Sequence, residues 1–394
     1  MAVQDIQEGR GVCIIDPHGD LIESILGLVP KERFEDVVVF DPSDLERPIG
    51  LNTLETDPNK PEQKTFVINE WLDIFDKLYN MSEVGGPMFE NYLRNAMGLL
   101  MSDVEEIPTV IDIPRIFSNR DYLKKKLAKC PDPLIIEFWE KQALQVSKGQ
   151  DLSLENVTPY ITSKFTSFIS NDYMRPIIAQ KKSTINFRKI MDEQKILLVN
   201  LAKGKIGDLN SSLLGLMIVG KLLMAAFSRV ELPEEERKDF YLYIDEFQNF
   251  TTPSITTILS EARKYRLDLI ISHQFIAQLQ DKIREAIFGN VGNMVVFRVG
   301  VKDAEFLVKQ FEPVFNENDM INLDNFVAIA KLLVKNIPTR SFTMKTLPPP
   351  QGNSEIAKLL KEYSRLTYGT PRGLIEQEIR EKYQKESEDL LEME

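Results

Sequence analysis

Short apolar runs that end in a polar residue recur along this chain, at Gly11 to Ile15, Val37 to Phe40, Ile196 to Asn200, Phe240 to Ile244, Leu269 to Ile271, Met294 to Arg298 and Phe326 to Ala330. Each is rich in β-branched or aromatic residues and about five residues long, the length of a buried strand. Helical stretches alternate with them, and the alternation predicts an α/β fold with a mostly parallel sheet. Ligands gather at the carboxyl ends of the strands in such sheets, so the residues just after each run are the first candidates for function.

The pattern stops between Leu54 and Ile190. Amphipathic segments take its place, at Phe66 to Leu78, Met88 to Met101, Tyr122 to Lys129 and Leu134 to Gln145, and they read as an all-α domain inserted into the α/β one. Residues 1–53 and 191–346 are therefore expected to be two parts of one domain, with 54–190 the insertion. Three consecutive prolines between Leu347 and Gln351 mark where the compact part ends, and residues 347–394 are expected to form a helical tail, solvated or held by a partner.

Charge narrows the function classes. The chain has 48 basic and 60 acidic residues, a net charge of −12, which excludes a broad basic surface wrapped by nucleic acid and leaves room for a narrow contact. Two cysteines, Cys13 and Cys130, make neither a disulfide framework nor a metal cluster, and two isolated histidines, His18 and His273, make no zinc site. The most apolar stretch, Leu213 to Phe227, is interrupted by Lys221 and reads as a buried helix, short for a membrane span.

The sharpest chemical signal is Tyr241-Leu242-Tyr243-Ile244-Asp245-Glu246-Phe247, an apolar strand ending in two carboxylates. In nucleotide-hydrolysing proteins that placement lets the first acid hold Mg²⁺ and the second polarise the attacking water. An acidic helix cap has the same local sequence. The next strand ends in Ser272-His273-Gln274, where an amide suits a phosphate or the lytic water. Arg263, in Glu261-Ala262-Arg263-Lys264-Tyr265, suits charge neutralisation at a neighbouring subunit's site, although its spacing alone favours a plain helix C-terminus. Arg298 is a second, weaker candidate of that kind. Asp16-Pro17-His18-Gly19-Asp20 makes a turn into a helix that Asp20 is expected to cap. Lys203 and Lys205 form a basic loop that suits DNA phosphates or simple solvation. A loop of the form G-x-x-x-x-G-K-[ST] occurs nowhere in the sequence.

Taken in order, these segments resemble the conjugative coupling proteins and type IV secretion DNA-transfer ATPases (TraD/TraG-like), within the FtsK/HerA superfamily of P-loop motors. The resemblance runs from Gly11 to Asp20 through Gly50-Leu51-Asn52, Gly86-Pro87-Met88, Asn91 to Asn95, Asn200 to Gly204, Asp245 to Phe250, Glu261 to Tyr265 and Ser272-His273-Gln274 to Gly289-Asn290-Val291-Gly292 and Phe297-Arg298-Val299-Gly300. It implies a RecA-like core with an all-α domain, ATP and Mg²⁺ at a junction between subunits of a homo-hexamer, and DNA in the central channel. Relaxase or other cargo proteins and secretion-channel components would be the partners, at the cytoplasmic side of the bacterial inner membrane. It also implies roles: Asp245 for Mg²⁺ and nucleotide, Glu246 for water, Gln274 as sensor and Arg263 acting in trans.

One departure is serious. Family members place a membrane segment, a strand and the phosphate-binding loop before a helix whose last turns Met1 to Gly9 resemble. The expectation is therefore a chain without its first strand and Walker A loop, inactive alone, whose sheet has unpaired edges where that strand belongs. The alternatives are a non-hydrolysing ring subunit or adaptor, or a HerA/FtsK-type motor of DNA repair or packaging.

Overall fold

The computed structural model describes residues 1–81, 86–145 and 154–391, with side chains to residue 384. Residues 82–85 and 146–153 of the expected insertion, and 392–394 of the expected tail, lie outside the described residues. Ten strands occur among those described: β1 Gly11–Asp16, β2 Val37–Phe40, β3 Ile196–Asn200, β4 Phe240–Ile244, β5 Leu267–Ile271, β6 Met294–Val296, β7 Val327–Lys331, β8 Leu333–Val334, β9 Ile337–Pro338 and β10 Phe342–Lys345.

The first five make one parallel sheet in the order β2-β3-β1-β4-β5. Its β-branched strands alternate faces. Cys13, Ile15, Val38 and Phe40 join a large core with the helices, while Val12, Ile14, Val37 and Val39 join a smaller one with Ile6, Ile22 and Leu360. The long helix Asp208–Ser228 packs between the sheet and the helix Pro61–Tyr79 of the helical region inserted between β2 and β3. It starts five residues before the apolar stretch read from sequence. It is long and apolar enough to cross a membrane, and it is mostly buried in this fold.

The last two runs depart from the single sheet read from sequence. β6 and β7 belong to a separate antiparallel sheet in the order β10-β7-β6, with β8 and β9 a small hairpin. Unpaired strand edges were expected, but a five-residue apolar run does not encode which neighbour it pairs with, so the antiparallel pairing of β6 and β7 was not legible in the sequence. The break leaves β5 and β6 as edges, each hydrogen-bonded on one side. Val295 and Phe297 at the β6 edge stay about half exposed.

The tail also differs from a solvated one. Helix Ser354–Tyr368 lies on β2 and buries Ala357 and Leu360, and the Val39 N–H donates to Ser364 Oγ at 2.7 Å. Helix Arg372–Leu391 reaches the helical region, where Lys382 Nζ pairs with the fully buried Asp112 at 2.5 Å. Arg115 lies between the rings of Tyr122 and Tyr383. The apolar stripe on each helix, thin in the sequence, finds a prepared surface here.

Candidate functional site

Strand polarity decides where the candidate residues meet. β4 and β5 run parallel with Ile244 opposite Ile271, so the residues after each strand emerge at the same edge of the sheet. The Ser272 N–H donates to the Ile244 carbonyl at 3.0 Å and the Phe247 N–H to the Ser272 carbonyl at 2.9 Å, which extends the pairing past both strand ends. Asp245 and Glu246 are thereby brought beside Ser272 and Gln274.

Side chains complete the contact. Ser272 Oγ donates to Asp245 Oδ1 at 2.5 Å, the Gln274 amide donates to Glu246 Oε1, and Gln248 Nε2 donates to Glu246 Oε2 at 2.6 Å. Both oxygens of Glu246 are held by neutral amides. They fix its orientation without supplying the positive charge that would neutralise it. Glu246 itself sits at φ 49° and ψ 48°, the left-handed region that a side chain rarely adopts and that clusters at functional sites. Both acids are half-buried, and each has a polar side chain as partner. His273, between Ser272 and Gln274, is pushed below its ordinary range by burial, against the pull of Asp303 and Glu246.

An Asp carboxylate with a hydroxyl beside it fits Mg²⁺. That ion takes few protein ligands and keeps most of its octahedron for water and phosphate. The donors present are hard oxygens, as the ion requires.

The other candidates lie apart. Arg263 is exposed on the short helix Ala262–Tyr265, which precedes β5, so the whole length of β5 separates it from Gln274. Arg298 follows β6 and donates to Asn325 Oδ1 at 3.2 Å, away from the acids. Lys203 and Lys205 do stand at the carboxyl edge of the sheet, after β3. Lys203 pairs with Asp208 at 3.3 Å and Lys205 donates to Ser43 Oγ at 3.1 Å.

At β1 the expected cap is corrected. Asp16 receives the N–H groups of His18, Leu21 and Ile22, at 2.8, 2.9 and 3.4 Å, and the Asp20 side chain caps nothing. The strand-end acid turns back over the helix start because Gly19, at φ 95°, lets the chain double on itself. The sequence reading also missed Glu70, which reaches the segment behind Glu246 from the helical region. Its signal was there: Glu70 falls on the same helix face as Val67, Trp71 and Ile74, where an apolar residue is expected.

Residues 239–310, which include Asp245, Glu246, Arg263, Gln274 and Arg298, match the family described as the TraM recognition site of TraD and TraG. Among solved structures, the chain is similar to the bacterial conjugative coupling protein TrwBdeltaN70 in its unbound form. The TM-score is 0.62 at 14% identity, over 90% of this chain and 82% of that one. The chain has the fold of the conjugative coupling proteins. The same coupling-protein fold occurs in the plasmid coupling protein TrwB in complex with the non-hydrolysable GTP analogue GDPNP, with TM-score 0.61, 14% identity and coverage of 90% and 82%. VirB4 of Thermoanaerobacter pseudethanolicus is similar at TM-score 0.55 and 14% identity, over 89% of this chain and 84% of that one. No curated protein matches by sequence. The resemblance read from the ordered motifs is thus borne out in the fold, a RecA-like core carrying a helical insertion.

Proposed function

We propose that this chain is the motor part of an ATP-dependent DNA translocase of the conjugative coupling type. The observation that carries the proposal is the meeting of Asp245, Glu246, Ser272 and Gln274 at one strand edge, with Glu246 oriented by two amides. Asp245 and Ser272 are assigned to Mg²⁺, which when bound neutralises charge on the transferred phosphoryl group. Glu246 takes the proton of the attacking water, and its half-buried carboxylate is free of a competing cation in the bonds above. Gln274 acts as sensor by holding Glu246 until phosphate offers its amide another acceptor.

Arg263 is assigned to a neighbouring protomer's site. A residue at the far end of β5 does not reach its own protomer's acids, and a ring brings one protomer's surface against the next. The ring is a homo-hexamer in this reading. Phosphate-holding backbone is assigned to a strand and loop that pair at the bare edge of β5, with β6 another free edge in the second sheet. Those edges are where unpaired backbone groups remain available. Lys203 and Lys205 are assigned to DNA phosphates. A relaxosome-side protein partner is supported by the likeness of residues 239–310 to a TraM recognition site, and the place of work is assigned to the cytoplasmic face of an inner membrane.

The intact carboxylate and amide network favours this motor over a non-hydrolysing adaptor, which would have no use for a left-handed Glu246 held by two amides. The test is ATP hydrolysis by the assembled motor with and without DNA. Faster turnover on DNA that Glu246→Gln abolishes supports the reading. Unchanged turnover in that variant removes Glu246 from the mechanism.

A further inference from the structure

The segment that follows Glu246 leaves the sheet after the Phe247 N–H bond to Ser272 and is then held by helices, one of them from the helical insertion. From Phe247 the chain makes a short helix to Phe250 and then enters helix Ser254–Glu261. Phe247 and Phe250 are buried, and a methyl group on Gly215 of helix Asp208–Ser228 would come within 2.3 Å of the Phe250 ring. That glycine makes the ring's seat. Two residues on, Thr252 Oγ1 donates to Glu70 Oε1 at 2.8 Å and Ser254 Oγ to Glu70 Oε2 at 2.5 Å.

Glu70 is only 5% exposed, on the inserted helix Pro61–Tyr79. Room for it comes from Gly220, where a Cβ would lie 3.0 Å from Glu70 Cγ. A buried carboxylate is expensive to retain without partners, and two hydroxyls from one segment are the ones it has been given. Burial pushes its carboxyl up, and the two hydroxyl bonds oppose the push. Lys221, the next residue after Gly220, is also buried, donates to the Glu55 carbonyl at 2.9 Å and is pushed down by burial to about 8.

We propose that Glu70 is a positioning residue through which the helical region sets the catalytic carboxylate: its bonds to Thr252 and Ser254 anchor the segment that begins at Glu246. A shift of helix Pro61–Tyr79, such as binding of a protein or DNA to the insertion would cause, then moves Thr252 and Ser254 and withdraws Glu246 from the water. Coupling of this kind passes through one contiguous network with an identifiable contact at each step. The inference rests on the reading of Glu246 as the water-activating acid.

The test is ATP turnover by the assembled motor carrying Glu70→Ala, Glu70→Gln or Ser254→Ala, together with hydrogen exchange over residues 247–256 in each. Expected for Glu70→Ala is a kcat lowered about tenfold with KM for ATP within about twofold, the signature of an interaction needed in the transition state alone. Glu70→Gln, which still accepts one hydroxyl and donates to the other, restores most of the rate. Ser254→Ala, at a half-buried position that does not endanger the fold, gives a smaller loss of the same kind. Exchange of the amides at 247–256 speeds up in Glu70→Ala and stays slow in β1 and β3. Turnover and exchange both like wild type in Glu70→Ala and Ser254→Ala overturn the proposal. If Glu246→Gln itself hydrolyses normally, the site reading has failed instead, and exchange at 247–256 still decides whether Glu70 holds the segment.

Discussion

The two edges of the parallel sheet are finished differently. At the β2 edge the chain closes itself: helix Ser354–Tyr368 covers the strand, Ser364 takes up the Val39 N–H, and Arg365 ties the covering helix to Asp44 at 2.8 Å and Glu46 at 2.6 Å. At the β5 edge nothing among the described residues pairs with the strand, and the nearby Phe275 is about half exposed. Edges that a protein closes with its own chain serve stability, whereas an edge left open beside polar strand ends keeps backbone groups available for pairing. The candidate site sits on the open side, one strand in from the bare edge. Substitutions at the two edges should therefore separate function from stability.

The largest effect is expected beside the open edge. Glu246→Gln lowers ATP turnover by about 10²- to 10⁴-fold, the range for losing a general base. Its urea unfolding midpoint stays at the wild-type value, because the side chain is only half-buried. A large loss of stability with little loss of rate would reverse the contrast between the edges.

Next come the contacts that anchor the tail. Lys382→Ala takes its closest cation from the buried Asp112, leaving Arg115 and Thr109, and costs about 1.5 to 3 kcal/mol in urea unfolding. Burial pushes the Asp112 carboxyl up, but Lys382, the Thr109 N–H and Arg115 outweigh it and hold the carboxyl below the usual range. A depressed folded value means stability that is present above the unfolded pKa of about 3.9 and lost as pH falls through the folded one. Wild-type unfolding free energy is expected to fall more steeply below about pH 4 than that of Asp112→Asn. Parallel pH profiles would show that the pair contributes nothing.

Ser364→Ala tests the closed edge itself. Removing the hydroxyl leaves the Val39 N–H buried and unpaired, at about 1 to 3 kcal/mol, with ATP turnover unchanged. The smallest stability effect is expected for Lys205→Ala, within about 0.5 kcal/mol of wild type. If Lys205 meets a DNA phosphate, the same variant weakens DNA binding irrespective of sequence and lowers the salt slope by about one. An unchanged slope would remove Lys205 from the DNA path.

Much of the fold was legible because each parallel strand is a β-branched run with helical sequence on both sides, and Asp245, Glu246 and Gln274 were legible because strand polarity puts residues after such runs at one edge. Pairing choice was not. The runs at Met294 and Phe326 have the composition of the others, and only their neighbours in space place them in a second sheet. The tail's docking was hidden for a related reason: Lys382 looks like a solvated charge until the buried Asp112 is seen opposite it. Glu70 was overlooked because a glutamate in a helix is usually on the wet side, and its apolar neighbours at helical spacing carried the contrary signal. The capping acid was assigned to Asp20 by proximity, whereas Asp16 has the reach to three amides from the strand end.

In the proposed motor Asp245 grips the metal of a bound triphosphate beside Glu246 and Gln274. Substituting Mn²⁺ for Mg²⁺ with a non-hydrolysable ATP analogue in the assembled motor tests it through paramagnetic broadening of assigned resonances. Broadening centred on Asp245, Glu246, Ser272 and Gln274, and lost in Asp245→Asn, is the predicted result. Broadening centred elsewhere, or unchanged in that variant, would show that Asp245 does not hold the metal.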